Sequence, residues 1–213
     1  CSNSLKFNDA VFLLHERGRS MQEAVPVGKG SMIAVLGLKT EEINNLILSL
    51  KLKNGVCEIA NDNADGQVII SGDKNSVQLF SSSLKERKIK SIPLKVSAPF
   101  HCSLMKPAAK VMEEKINKTL FKDPSIKIIN NVTASPEINS DKIKKLLVDQ
   151  IYSTVKWRQT LMYMSNAGVT NFIEIGPGKV LSGMVKRTIK KSVNCFSINS
   201  IADIKNLKNE FEK

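Results

Sequence analysis

Histidine is almost missing from this sequence: two occur in 213 residues, His15 and His101. The four cysteines, Cys1, Cys57, Cys102 and Cys195, are scattered and form no CxxC pair. Together these shortages leave no ligand set at zinc spacing, so no metal is expected. Scattered free thiols fit a reducing compartment, and a cytoplasmic location is expected. Long apolar runs are also missing. The densest, Met32 to Leu38, is strand-sized, so no membrane partner is expected. No segment reads as a signal peptide. Residue 1 is Cys and not Met, and a helical pattern starts almost at once, as expected of a cut domain. Arginine supplies only five of the 32 basic residues, although base-reading surfaces favour its two-pronged contacts. Finally, no G-x-S-x-G occurs, so the chain holds no serine nucleophile elbow of that kind.

What is present is an ordinary globular composition, 42% hydrophobic and 24% charged, in a chain long enough for one large domain or two small ones. Phe7 to about Ala24 reads as a helix, with Asn8 or Asp9 as cap and Val11, Leu14, Gly18 and Met21 on one face. A regular alternation follows. Ser31–Gly37 reads as a strand, and Thr40 caps a helix through Leu50. Val56–Ala60 and Gln67–Ser71 read as strands around the turn Ala64-Asp65-Gly66. Asp73 caps a helix through Leu84, and Lys88–Val96 reads as a fourth strand. This βαββαβ order is the split βαβ, or ferredoxin-like, unit. It is assigned to residues 31–97 as a subdomain inserted between residues 1–30 and 98–213. After His101 longer elements alternate. They are a helix from about Ser103 to Leu120, a strand Ile126–Val132, a helix Asp141–Tyr152 capped by Ser140, a helix Trp157–Ala167 stopped by Gly168, a strand Thr170–Ile175, a helix Lys179–Ile189, a strand Val193–Ile198 and a helix Ile201–Phe211. The fold class is α/β.

His101 is the first candidate for chemistry. It follows Pro99-Phe100 between the two expected subdomains, where clefts form, and its ordinary pKa of about 6.5 suits a general base. A capping or packing role is the alternative. His15 lies inside the first helix among charged neighbours and reads as solvated. Cys102 adjoins His101, but adjacent side chains do not face each other in a helix or strand. Gly176-Pro177-Gly178-Lys179 is not a phosphate loop. Ile173 stands where the first glycine belongs and Val180 where Ser or Thr belongs, though the helix start could still accept an anion. Arg17 and Arg19 flank Gly18 and read either as helix-end cations or as a carboxylate clamp. Lys186, Arg187, Lys190 and Lys191 form a basic face, either simply solvated or a dock for an acidic partner. The net charge of +12 keeps a nucleic-acid-binding module in play as an alternative. Against it, the four strands of the βαββαβ unit carry no aromatic on which a base could stack.

Several ordered segments carry a resemblance. They are Arg17-Gly18-x-x-Met21-Gln22-Glu23-Ala24-Val25-Pro26, Asn61-x-Asn63-x-x-Gly66-Gln67-Val68 and His101-Cys102-x-Leu104-Met105-Lys106-Pro107. Asn130-Asn131-Val132, Gln150-x-Tyr152-x-x-Val155-x-Trp157 and Glu174-x-Gly176-Pro177-Gly178-Lys179-Val180-Leu181 complete the set. Across essentially its whole length the chain resembles the malonyl-CoA:acyl-carrier-protein transacylase family of bacterial fatty-acid synthesis, without that family's N-terminal third. The resemblance implies an α/β-hydrolase-like subdomain, here incomplete, carrying the ferredoxin-like one. It implies transfer of a malonyl group from malonyl-CoA to the phosphopantetheine thiol of holo acyl carrier protein, by ping-pong chemistry through a serine ester with a histidine base. By position, His101 is the implied base and Gln150 orients it through its backbone carbonyl. Arg17 receives the malonyl carboxylate, and Asn61 and Asn63 line the cleft. Phe100 narrows the space at the acyl α-carbon, as in relatives that accept only malonyl. No bound cofactor is implied; the partners are acyl carrier protein and the coenzyme A thioester, and the complete enzyme is expected to be a monomer. Without the serine elbow, this chain is expected to be inactive alone. A carrier-protein-binding fragment without catalysis is the alternative.

Overall fold

The computed structural model describes residues 1–212 and divides into two compact units, Cys1–Trp157 and Arg158–Lys213. The first begins with α1 (Phe7–Glu23). Leu13, Glu16, Ser20 and Met21 are its buried residues, three or four apart along one face. That stripe differs from the expected one. Val11 and Leu14 are 49% and 67% exposed, and Met21 alone of the expected set is buried. Lys6 occupies the N-cap position with no side-chain cap, so neither Asn8 nor Asp9 caps the helix.

The next elements are β1 (Gly30–Leu36), α2 (Thr40–Ser49), β2 (Cys57–Ala64), β3 (Gln67–Asp73), α3 (Lys74–Glu86) and β4 (Ser91–Pro93). The strands form one antiparallel sheet in the order β2-β3-β1-β4. Its helical face buries Ile33, Val35, Ile59, Val68 and Ile70 against Ile43 of α2 and Val77, Phe80 and Leu84 of α3. The opposite face buries Met32, Ala34, Ala60 and Ile69, with Leu94 and Phe100 packed on it. Asp73 starts α3 as expected, accepting the Ser76 N–H at 2.9 Å, whereas Lys39 and not Thr40 is the N-cap of α2. β4 is much shorter than the expected Lys88–Val96. Lys88 adopts a left-handed φ of +58°, and only Ser91, Ile92 and Pro93 pair with β1.

β2 is irregular. Its register slips between Ile59 and Asn61 and again between Asp62 and Ala64, as bulges do. On its open edge it pairs with the segment after Gln150. The Asp62 N–H donates to the Val155 carbonyl at 2.9 Å, and the Val155 N–H donates to the Ala60 carbonyl at 2.8 Å. Thr154 Oγ1 donates to the Ile59 carbonyl at 2.6 Å.

A short 3₁₀ turn (Ser103–Met105) leads into α4 (Lys106–Asn117), so the expected single helix from Ser103 starts as a tighter turn. β5 (Ile128–Ile129) and β6 (Pro136–Glu137) form a two-residue ladder where a longer strand was expected. α5 (Ser140–Asp149) is capped by Asn139 and not by the expected Ser140; Asn139 Oδ1 accepts the Lys142 N–H at 2.9 Å. α1, α4 and α5 share a core built on Leu13, Met21, Met105, Met112, Ile116, Ile143 and Ile151.

The second unit comprises most of α6 (Trp157–Asn166), then β7 (Asn171–Ile175), α7 (Val180–Thr188), β8 (Asn194–Ile198) and α8 (Ile201–Phe211). β7 and β8 pair in parallel, in register from Asn171–Asn194 to Ile175–Ile198. Gly168 ends the α6 region with φ +81°, and Ser200 and Asp203 cap α8 reciprocally. Among the described residues no helix is long and apolar enough to cross a membrane.

Candidate active site

His101 sits in a segment with unusual constraints. Its φ is +59°, a left-handed conformation uncommon for any residue with a side chain. Upstream, the Pro99 ring lies so close over Gly30 that a Cβ there would overlap it. Cys102 Sγ donates to the Pro99 carbonyl at 3.1 Å. Downstream, the Glu58 carboxylate of β2 takes the Ser103 N–H at 2.8 Å and the Ser103 hydroxyl at 2.6 Å. The half-buried Phe100 packs on both the α1/α4/α5 core and the open face of the sheet.

The imidazole Nδ1 lies 2.9 Å from the Gln150 carbonyl, 49 residues away. Gln150 is the C-cap of α5, where helix carbonyls lack an intrahelical donor and are free to accept one. Its side chain is turned elsewhere, donating to the Ser153 carbonyl at 3.2 Å. A carbonyl can only accept, so Nδ1 carries the proton and Nε2 presents a lone pair. Burial holds the His101 pKa below its ordinary value. The Gln150 carbonyl opposes this, and the Arg17 charge adds to the lowering. The ring is therefore neutral at pH 7.

Arg17 and Arg19 part company in the structure. Arg19 binds Glu16 at 2.8 Å and Glu23 at 3.7 Å. Arg17, four residues after Leu13 on the flank of the buried stripe, has no carboxylate partner among the described residues, and burial lowers its pKa. A guanidinium stays protonated even so. It is a part-buried cation beside His101 with no paired anion among the described residues.

Asn61 and Asn63 are half-buried in β2, and neither side chain is hydrogen-bonded among the described residues. Asn61 pairs with Ile69, which places it on the sheet face that Phe100 packs against. Asn63 is the extra residue of the second bulge. Cys102 is fully buried, its thiol pushed up by burial, so it is no partner for His101. The α7 start is not open to an outside anion. The Glu174 carboxylate accepts the N–H groups of Leu181 and Ser182, at 3.0 and 2.8 Å, together with the Ser182 hydroxyl. Among the described residues no cluster of His, Cys, Asp and Glu could hold a metal ion.

Two residues went unread in the sequence. Glu58 reads as one polar position of an alternating strand, with nothing to announce Ser103. Glu16, buried in α1, binds Lys115 of α4 at 2.7 Å as well as Arg19.

A half-buried imidazole oriented through Nδ1 can take a proton at Nε2, and the Arg17 cation beside it can hold an anionic group. The acyl transferase domain family matches residues 1–212, and the chain belongs to that family. It is 41% identical over 191 residues to a malonyl CoA-acyl carrier protein transacylase of Bacillus subtilis, covering 89% of this chain and 60% of that protein. The crystal structure of a malonyl CoA-acyl carrier protein transacylase from Clostridium perfringens superposes with TM-score 0.92 at 35% identity, over 99% of this chain and 66% of that one. A malonyl-transacylase solved in complex with a type II polyketide synthase acyl-carrier protein gives TM-score 0.91 at 35% identity, over 98% and 68%. The chain thus spans about 60% of the length of the curated relatives it matches.

Proposed function

We propose that these residues supply the base and the carboxylate receptor of a malonyl-CoA:acyl carrier protein transacylase. The observation that carries this reading is the 2.9 Å bond from His101 Nδ1 to the Gln150 carbonyl, which leaves Nε2 free in a ring that burial keeps neutral. The strand order β2-β3-β1-β4 supports a ferredoxin-like subdomain over 31–97, set into an α/β-hydrolase-like one at 1–30 and 98–213.

In this mechanism Nε2 takes the proton of a serine hydroxyl as its oxygen attacks the thioester carbon of malonyl-CoA. The C–S bond breaks, and the coenzyme A sulfur leaves with the proton from Nε2. The phosphopantetheine thiol of acyl carrier protein then gives its proton to Nε2 and attacks the malonyl-serine ester, and the serine oxygen recovers that proton. Gln150 holds the ring through both half-reactions. Arg17 binds the distal carboxylate of the malonyl group, and Asn61 and Asn63 line the approach. No cofactor takes part.

The sequence holds no G-x-S-x-G, so the serine and its oxyanion donors must come from outside these residues. The 213-residue chain is therefore inactive alone, and a chimera in which the N-terminal part of a relative precedes Cys1 transfers malonyl groups. Loss of that activity in the His101→Ala chimera is the expected control. Malonyl transfer by the chain alone, or an active His101→Ala chimera, would overturn the reading. A chimera that binds carrier protein but transfers nothing would instead favour a non-catalytic binding fragment.

Phe100 sets acyl-group preference by filling space beside the base. One methyl group excluded from a pocket is worth roughly 1–3 kcal/mol, or about 10–200-fold. Malonyl-CoA is expected to outcompete methylmalonyl-CoA by that margin in the chimera, and Phe100→Ser to narrow it. Equal turnover of the two acyl groups with Phe100 in place removes this role.

A further inference from the structure

We propose that Glu58 is a positioning residue for His101, acting through Ser103. The inference rests on His101 being the base. His101 is held in a left-handed conformation that an isolated chain disfavours, so the segment must be fixed on both sides to keep the ring in place. Upstream, that fixing is the packing of Pro99 on Gly30, and the Cys102–Pro99 bond spans the histidine itself. Downstream, it is Glu58, whose two carboxylate oxygens are both given to Ser103, two residues after the histidine, at 2.8 and 2.6 Å. Among the described residues no cation is paired with Glu58. Its charge is directed at the backbone N–H and hydroxyl that begin the 3₁₀ turn, where charge-assisted bonds are strongest.

The geometry gives this tether a reach beyond its own turn. Glu58 lies in β2, and β2 also pairs with Val155, just after Gln150. One strand therefore braces the chain on both sides of the His101–Gln150 hydrogen bond: the histidine segment through Glu58–Ser103, and the segment five residues after Gln150 through the bonds of Ala60 and Asp62 to Val155. Ser103→Thr keeps the N–H and the hydroxyl and should keep the tether. Ser103→Ala removes the hydroxyl. Glu58→Gln leaves one acceptor oxygen where two are used.

The test reads the imidazole itself. Ring nitrogen-15 shifts of His101, in the 213-residue chain labelled at histidine, report which nitrogen carries the proton; exposed His15 serves as an internal reference. The parent chain and Ser103→Thr are expected to show the Nδ1–H form almost alone. Glu58→Gln and Ser103→Ala are expected to lose that dominance several-fold, toward the Nε2–H form common in free imidazole. Methyl spectra check that each variant keeps its fold, and a fall in melting temperature alone does not count in favour. If both disruptive variants keep the Nδ1–H form, or if Ser103→Thr loses it, the positioning role is overturned. If the parent chain itself shows the Nε2–H form, the fault lies with the His101–Gln150 reading. Should one disruptive variant fail to fold, the other decides.

Discussion

At the residue scale, Arg17 and His101 constrain each other. The guanidinium lies near enough to disfavour a proton on the ring, yet it is itself part-buried and unneutralised, so a bound carboxylate would relieve it. A charge-assisted hydrogen bond is worth about 1.5–3 kcal/mol. Arg17→Ala in the chimera should therefore cut kcat/KM for malonyl-CoA by roughly 10–100-fold, by the 1.4 kcal/mol per decade rule. Transfer of an acetyl group, which lacks the distal carboxylate, should fall far less. The pH dependence shifts as well. His101 works as a base only when neutral, and its folded pKa lies below the ordinary value of about 6.5. Activity therefore falls as pH drops through that lowered pKa. Removing the Arg17 charge raises the pKa, so the acid limb of the profile should move to higher pH. A limb that stays put in Arg17→Ala would mean the two groups are not coupled. His101 stood out in the sequence because histidines are so few. Its partner could not stand out, since a backbone carbonyl 49 residues away has no residue type to reveal it; only the resemblance pointed to Gln150.

At the element scale, α1 and α4 are joined by more than their apolar stripes. Glu16 is buried between Arg19, one turn on, and Lys115 of α4, and the hydrogen bonds from these two cations hold its carboxyl down at about 2. A carboxylate whose folded pKa lies below its unfolded value stabilises the fold above the unfolded pKa and loses that contribution as pH falls through the folded one. Here the window runs from about 4.5 down to about 2. Melting temperature followed across that window should fall more steeply in the parent chain than in Glu16→Gln. The variant should start lower at pH 7, because it leaves two cations around a neutral amide. Parallel curves would remove Glu16 from the acid response. Elements set by local chemistry were legible in the sequence. The Asp73 cap and the Gly168 stop need only neighbours within a few residues. What depends on distant partners was not legible. On α1, the burial of Glu16 goes with a lysine about a hundred positions away, which the helix's own sequence does not show. The strand expected at Lys88–Val96 shrank because Lys88 turns left-handed and the ladder with β1 covers only Ser91–Pro93, with one backbone bond beyond it on each side, at Lys90 and Leu94.

At the scale of the whole molecule, the +12 charge asks for an anionic partner, and the fold narrows which kind. An RNA-binding sheet needs one face open and aromatic. Here one face of the β2-β3-β1-β4 sheet is covered by α2 and α3, and the other buries Met32, Ala34, Ala60 and Ile69 under Leu94 and Phe100. With no platform for bases, charge alone would give only weak, non-specific binding. An acidic carrier protein needs no such platform, only a positive surface to steer it. Lys186, Arg187, Lys190 and Lys191 are all exposed in the second unit, on and just after α7. Charges at the rim of an interface act mostly on the association rate and on salt dependence. Reversing these four to Glu in the chimera should raise KM for carrier protein about tenfold at low salt, leave kcat nearly unchanged and flatten the dependence on ionic strength. Net charge changes by the same amount when Lys51, Lys53, Lys85 and Lys88, exposed in the first unit, are reversed instead. If that second set raises KM equally, steering comes from the overall charge and α7 has no special part in it. If only the α7 set does so, the basic face is where the carrier lands.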